Sequence, residues 1–155
     1  METEATEQVV IDPMRVRDLA DIMRIERLSF TTPWSKQAFL SEMLDNDRAY
    51  YLVAKVNDRP VGYIGVWLIA NEGHITNVAV HPDYRGRGIG NRLMLAIEEL
   101  AKKRGATRMT LEVRVSNEVA QALYRKLGYV AAGIRRRYYR DNDEDAIIMW
   151  KDIGT

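Results

Sequence analysis

The segment Arg85-Gly86-Arg87-Gly88-Ile89-Gly90 is the part of the chain best suited to chemistry. Its glycines alternate with larger residues, between a β-branched run ending at Val80 and an amphipathic run opening at Ile89. A strand, a glycine loop and a helix start in that order make an anion site. The first N–H groups of a helix have no internal partners, and the helix dipole adds partial positive charge there. Glycine lets a ligand approach the backbone, so the arrangement suits a pyrophosphate. A Walker loop ends in Gly-Lys-Ser/Thr, whereas this one continues Gly90-Asn91-Arg92. A dinucleotide fingerprint follows the first strand of a βαβ unit, whereas this loop lies mid-chain. The other reading is a plain glycine turn with Arg85, Arg87 and Arg92 solvated. Two more polar residues sit in apolar frames. Glu112 lies between Leu111 and Val113, and Tyr124 lies one turn before Gly128. On residue type alone, Glu112 alternates out of a sheet and Tyr124 packs beside Leu127.

Other chemistries are excluded by what is missing. The chain has no cysteine, which removes disulfides, Cys-ligated zinc and thiol catalysis. Its only histidines, His74 and His81, are too few for a multi-His metal site and read as strand and loop residues without catalytic roles. No metal is expected.

The elements that must position these residues follow from periodicity. Val9-Val10-Ile11 is a short strand stopped by Pro13. Leu19, Ile22, Met23 and Ile25 recur at helical spacing over about residues 17–29. Ser35 can cap a second helix with Phe39, Leu40, Met43 and Leu44 on its apolar side. Tyr50 to Val56, Val61 to Ile69 and His74 to Val80 read as an antiparallel meander, with turns at Asn57-Asp58-Arg59-Pro60 and Ala70-Asn71-Glu72-Gly73. The helix after the glycine loop carries Ile89, Leu93, Ile97 and Leu100 and ends at Gly105. Met109 to Val113 is a strand. Asn117 to Leu127 is a helix with Val119, Ala120, Leu123 and Leu127 inward. Tyr129 to Tyr138 and Asp145 to Lys151 are the last strands. The sum is an α/β sandwich with a mixed sheet.

At 155 residues with 46% apolar and 29% charged content, the chain suits one domain with an ordinary core. A net charge of +1 argues against a general nucleic-acid binder. The start, Met1-Glu2-Thr3-Glu4, lacks the basic and apolar regions of a signal peptide, and no stretch nears the roughly 20 apolar residues of a membrane span. The expected location is cytoplasmic.

With these elements in place, a resemblance emerges. Ile75 through Gly90 resembles motif A of the GNAT superfamily of acyl-CoA transferases, whose core Arg/Gln-x-x-Gly-x-Gly/Ala is met by Arg85, Gly88 and Gly90. Leu111 through Asn117 and Ala122 through Tyr129 resemble motif B. Ser29 through Ser35, Arg136-Arg137-Tyr138-Tyr139 and Glu144 through Met149 resemble the bacterial RimI-type branch, which acetylates the N-terminal alanine of the eighteenth small-subunit ribosomal protein. The resemblance covers about residues 9–151. It implies a mixed, mostly antiparallel sheet of about seven strands flanked by about four helices, acetyl-CoA as co-substrate, and a single GNAT domain over residues 9–155 behind a flexible acidic head at residues 1–8. Two departures are visible. Asn91 stands where a basic residue often follows the last glycine, with Arg92 next to it, and the acidic head is extra.

The resemblance also implies roles. Glu112 is the general base for the amine and Tyr124 the acid for the leaving thiolate. Val78, Ala79 and Val80 offer backbone to the thioester carbonyl and pantetheine arm, from a strand that bulges and splays from its neighbour. Asn117, a natural helix cap, also meets the pantetheine chain. Arg85, Gly86, Arg87, Gly88, Ile89, Gly90 and Asn91 cradle the phosphates. Trp34, Tyr138 and Tyr139 line the acceptor entrance, although Trp34 could equally pack under the second helix. The run Arg135-Arg136-Arg137 is a solvated strand end that could meet an acidic substrate or the ribosome. Competing functions are a GNAT enzyme for other N-termini, lysine or small amines, a non-catalytic acyl-CoA-binding module, and an RNA-binding domain. A binding module needs neither Glu112 nor Tyr124, and the RNA reading lacks both a basic excess and an aromatic RNA motif.

Overall fold

The computed structural model describes residues 8–154, so the acidic head at residues 1–8 lies outside the described residues apart from Gln8. Strand β1 is Val9–Pro13, and a short 3₁₀ turn at Val16–Asp18 leads into helix α1, Leu19–Ser29. Helix α2 is Lys36–Asp45, opened by Ser35, whose hydroxyl accepts from the Ala38 N–H at 3.1 Å. The meander is β2 (Ala49–Val56), β3 (Arg59–Ile69) and β4 (Glu72–Val80). Then come α3 (Ile89–Lys103), β5 (Arg108–Arg114), α4 (Glu118–Lys126), β6 (Val130–Tyr139) and β7 (Glu144–Asp152).

The seven strands form one sheet in the order β1-β2-β3-β4-β5-β7-β6. Every neighbouring pair is antiparallel except β4 and β5, whose parallel pairing uses α3 as the crossover. Strand alternation explains why both faces are covered. In β2, Leu52, Ala54 and Val56 pack with Leu93, Met94 and Ile97 of α3, while Tyr51 and Val53 pack with Leu19, Ile22, Ile25 and Phe39 of α1 and α2.

Strand β4 departs from this regularity. Gly65 of β3 faces Asn77 while Val66 faces Ile75, so Thr76 is an extra residue, a β-bulge. Consequently Ile75 and Ala79, four residues apart, lie in opposite cores, which an unbroken strand would not allow. Its other edge pairs with β5 only through Glu72, Gly73 and His74; beyond His74 the two strands part. The bulge and the splay are both present where the sequence resemblance puts them.

Two helix faces differ from expectation. Val119 is 84% exposed, because α4 turns Ala120, Tyr124 and Leu127 toward the sheet and Val119 falls to the edge of that stripe in the first turn. Leu44 is 67% exposed, since Phe39, Leu40 and Met43 already fill the inward side of α2.

Candidate active site

A cavity of about 260 Å³ opens where β4 and β5 separate. Because the sheet itself is split there, both layers contribute walls. Glu26, Phe30 and Trp34 come from the α1–α2 side, and Leu111, Val113, Asn117 and Tyr124 from the α4 side. Asn77 and Val78 of β4 and Glu112 of β5 lie between them. Of the candidates read from sequence, the split brings together Val78, Glu112, Asn117, Tyr124, Trp34 and Tyr139.

Glu112 alternates with the buried Leu111 and Val113, so it faces the α1–α2 side. His74 Nε2 is 2.7 Å from its Oε1, and Arg135 Nε is 3.3 Å from Oε2. Burial pushes the carboxyl up, but the hydrogen bond and charge of His74, with Arg135 behind them, outweigh it and hold Glu112 below the ordinary carboxylate range. Glu112 is therefore ionised throughout the neutral range. Tyr124 projects from α4 with 7% of its surface exposed, and burial pushes its phenol up to about 12. It stays protonated at any pH near neutrality.

The wall of the cavity at Arg114 and Tyr139 is tied together by charge. Arg114 pairs with Asp141 at 2.9 Å and Glu144 at 3.1 Å, and its guanidinium lies 4.0 Å above the Tyr139 ring. The Thr31 hydroxyl donates to Asp141 at 2.5 Å, which links the α1–α2 segment to the β6–β7 hairpin. The Ser116 N–H donates to Glu144, and hydrogen bonds from Ser116 lead the effects that bring this carboxyl down to about 2. Tyr138 stacks edge-on against Tyr139 at 5.1 Å. Trp34 packs on Phe39 at 5.1 Å and also lines the cavity.

Sequence reading missed Glu26. It is 2% exposed, accepts from the Trp34 N–H at 2.8 Å, and is hydrogen-bonded by the Tyr63 hydroxyl. Burial raises its carboxyl above the ordinary range despite these two bonds. A signal existed: a glutamate four residues after Ile22, inside the apolar stripe of α1, has to find partners when buried.

At the other end of β4 the chain turns into the glycine loop. Gly88 caps α3 with φ of +80°, and Gly86 has φ of +78°. A Cβ at either position would meet no protein atom within 4 Å, so glycine serves the left-handed backbone and leaves the space before the helix open. Gly90 instead lies close to Leu123, which seats α4 beside the loop. Arg85 is partly engaged within the fold: its Nε donates to the Val80 carbonyl at 2.9 Å and its Nη2 to Ser29 at 3.2 Å. Arg87 lies 4.8 Å above the Tyr84 ring and donates to the Asp83 carbonyl. Val78, Ala79 and Val80 pair with β3 on one edge only, so their opposite backbone edge faces the split. Asn117 caps α4 by accepting from the Ala120 N–H at 3.1 Å. Among the described residues no group of three His, Cys, Asp or Glu side chains could hold a metal ion.

Known proteins share this arrangement. The acetyltransferase (GNAT) family profile matches residues 19–129. The chain is 46% identical over 91% of its length, and 93% of the relative, to a Bacillus subtilis protein provisionally named ribosomal protein bS18-alanine N-acetyltransferase. It is 36% identical to the Escherichia coli enzyme of that name, covering 90% of this chain and 94% of that one. The crystal structure of the ribosomal-protein alanine N-acetyltransferase from Escherichia coli superposes with a TM-score of 0.87 at 34% identity, over 96% of each chain. A split sheet, a glycine-started helix and a matched profile across most of the chain have one explanation: this protein is a member of the GNAT family of acetyltransferases.

Proposed function

We propose that this chain moves the acetyl group of acetyl-CoA to the N-terminal α-amine of a protein, with the N-terminal alanine of ribosomal protein bS18 as acceptor. The observation that carries the reading is the parting of β4 from β5, with an ionised carboxylate and a protonated phenol on the walls of one cavity. The relatives' names supply the acceptor. Residues 9–155 act as one catalytic unit, and an acceptor made on ribosomes places the work in the cytoplasm.

The phosphates of acetyl-CoA rest on the backbone of Gly86, Arg87, Gly88, Ile89, Gly90 and Asn91, at the positive end of α3. Arg85 steadies that loop as well as adding charge. The pantetheine arm runs along the free edge of Val78, Ala79 and Val80 and reaches Asn117. Those N–H groups polarise the thioester carbonyl. Glu112 removes a proton from the acceptor ammonium, and the nitrogen keeps the electron pair. The amine then bonds to the carbonyl carbon, and the carbon–sulfur bond breaks with its electron pair going to sulfur; the new amide nitrogen releases its second proton to solvent, and the thiolate, met by the Tyr124 O–H, gains one to leave as the thiol. Trp34, Tyr138 and Tyr139 wall the entrance, which favours a small first residue.

The test is a panel of short peptides differing at residue one, with polyamines, incubated with acetyl-CoA and read by mass. Alanine peptides are expected to react fastest. A lysine side chain, with a pKa near 10.4 against about 8 for an α-amine, holds its proton more tightly and should lag. Faster acetylation of lysine side chains or polyamines overturns the acceptor assignment.

Gly88→Asp tests the phosphate cradle separately. Aspartate tolerates a left-handed cap and suits a helix start, so the fold should survive. Its carboxylate would stand in the open space before α3. A charge about 4 Å from a phosphate at a protein surface costs about 4 kcal/mol, so acetyl-CoA affinity should fall roughly 1,000-fold. Unchanged affinity by calorimetry removes the cradle.

A further inference from the structure

We infer that Thr31 and Asp141 limit the size of the acceptor's first residue, by tying the two walls of its cleft to each other. This rests on the cavity receiving a protein N-terminus, and adds what sets its width. One wall is the segment between α1 and α2, which supplies Phe30, Thr32 and Trp34 to the lining. The other carries Arg114 and Tyr139. Thr31 stands between two lining residues and Asp141 stands two residues after a third, yet neither lines the cavity itself. The Thr31 hydroxyl donates to Asp141 Oδ2 at 2.5 Å, across 110 residues of sequence. That bond joins the walls from outside the space they enclose. Among the described residues no other hydrogen bond or ion pair links the segment 30–35 to the β6–β7 hairpin.

The first wall depends on such tethers. Thr31, Thr32 and Pro33 form no backbone-to-backbone hydrogen bond among the described residues. At one end the Phe30 N–H closes the last turn of α1 on the Glu26 carbonyl at 3.0 Å. At the other, the buried Glu26 carboxylate accepts from the Trp34 N–H at 2.8 Å. Between these points the Thr31 hydroxyl reaches out to the hairpin. The second wall is firm. Arg114 holds Asp141 at 2.9 Å and lies 4.0 Å above the Tyr139 ring, so one cation fixes both the carboxylate that receives Thr31 and the aromatic wall. The hydrogen bond from Thr31 leads the effects that keep the Asp141 carboxyl below the ordinary range, so Asp141 is an ionised acceptor and Thr31 the donor.

The cavity of about 260 Å³ has to hold the reacting groups and the acceptor's first side chain together. A methyl group fits between closed walls. A leucine or phenylalanine side chain needs Phe30 and Thr32 to move away from Tyr139, and that movement breaks the bond from Thr31 to Asp141. A hydrogen bond to a charged group at this exposed position opposes the opening by roughly 10-fold. Alanine breaks nothing, so the tether acts as a difference between acceptors rather than as a general gain in binding. Glu26 keeps Trp34 in place when the outer bond opens, so the cleft widens without coming apart.

Peptides identical beyond residue one, and starting with alanine, leucine or phenylalanine, read the limit as ratios of kcat/KM. Thr31→Val keeps the side-chain shape and removes the O–H. It should raise leucine and phenylalanine peptides against alanine by roughly 10-fold. Alanine peptides should react nearly as before, and the KM for acetyl-CoA should not move. Thr31→Ser keeps the hydroxyl and should keep the wild-type ratios. Asp141→Ala should shift the ratios in the same direction, and adding Thr31→Val to it should shift them no further, because both substitutions cut one bond. Unmoved ratios in Thr31→Val, an equal shift in Thr31→Ser, or shifts that add in full in the double variant overturn the tether. A wild type that does not prefer alanine is a different result. It overturns the alanine acceptor, and the size limit with it, before any variant is compared.

Discussion

Tyr124→Phe should lower kcat by roughly 10²–10⁴-fold, the usual contribution of a positioned acid. The substitution keeps the ring, which is 7% exposed and stacks edge-on with Tyr129 at 6.1 Å, so stability should change little. Burial has pushed the phenol up to about 12, far above an ordinary thiol at about 8.5. Complete transfer of the proton to a free thiolate is therefore uphill. The hydroxyl acts best while charge is still developing on sulfur, an interaction made in the transition state, so kcat and kcat/KM should fall together. Because the phenol is protonated at every accessible pH, the size of the loss should be constant from pH 6 to 9. Single-turnover rates across that range check this. Wild-type turnover, or a loss matched by weaker acetyl-CoA binding, leaves Tyr124 only its packing.

Glu112→Gln should behave differently with pH. The side chain keeps its shape and its amide oxygen replaces one of the two carboxylate acceptors that face His74 and Arg135, but it has lost basicity. At pH 7 the wild-type carboxylate is fully ionised, because its pKa is held below the ordinary range. The variant depends on amine already neutral in bulk water. A loss of roughly 10²–10⁴-fold is expected at pH 7, recovering as pH passes the α-amine pKa of about 8. A pH–rate profile on an alanine-initiated peptide measures it. Wild-type rates at pH 7 remove Glu112 as the base. The contrast between a flat loss for Tyr124 and a sloping one for Glu112 separates acid from base in one set of profiles.

Much of this site was legible in the sequence because its parts depend on local rules. The glycine loop declared itself through residue type and position, and Ser35 and Asn117 declared helix starts by the same logic. The resemblance carried Glu112 and Tyr124, which periodicity alone reads as a surface acid and a core aromatic. What was hidden depends on non-local pairing. His74 and Glu112 are 38 residues apart in sequence and meet only through the three-residue contact of β4 with β5. Nothing in the segment around His74 encodes that register. Val119 was misplaced for a smaller reason. A branched apolar residue at a helix edge fits the period whether it faces in or out, and the position of the sheet decides. Arg85 was read for its charge, while the carbonyl and hydroxyl it reaches lie on other elements.

The outer strand β6 has a consequence for how the protein behaves at high concentration. A sheet edge presents unpaired backbone groups that can recruit another chain and start aggregation. Here that edge carries exposed Val130 and Ile134, at 63% and 60%, which would favour such recruitment. The strand is broken twice against it. Ala132 is an extra residue between the rungs of Ala131 and Gly133, and the ladder is interrupted again between Arg135 and Tyr139, where Arg137 adopts a φ of +53°. Each interruption bends the edge and shortens the flat stretch a second strand could match. The three consecutive arginines then set like charges opposite each other in any antiparallel self-pairing centred on them. Much of the arginine run is thus accounted for as a barrier to self-association, built into an edge strand that also carries exposed apolar side chains.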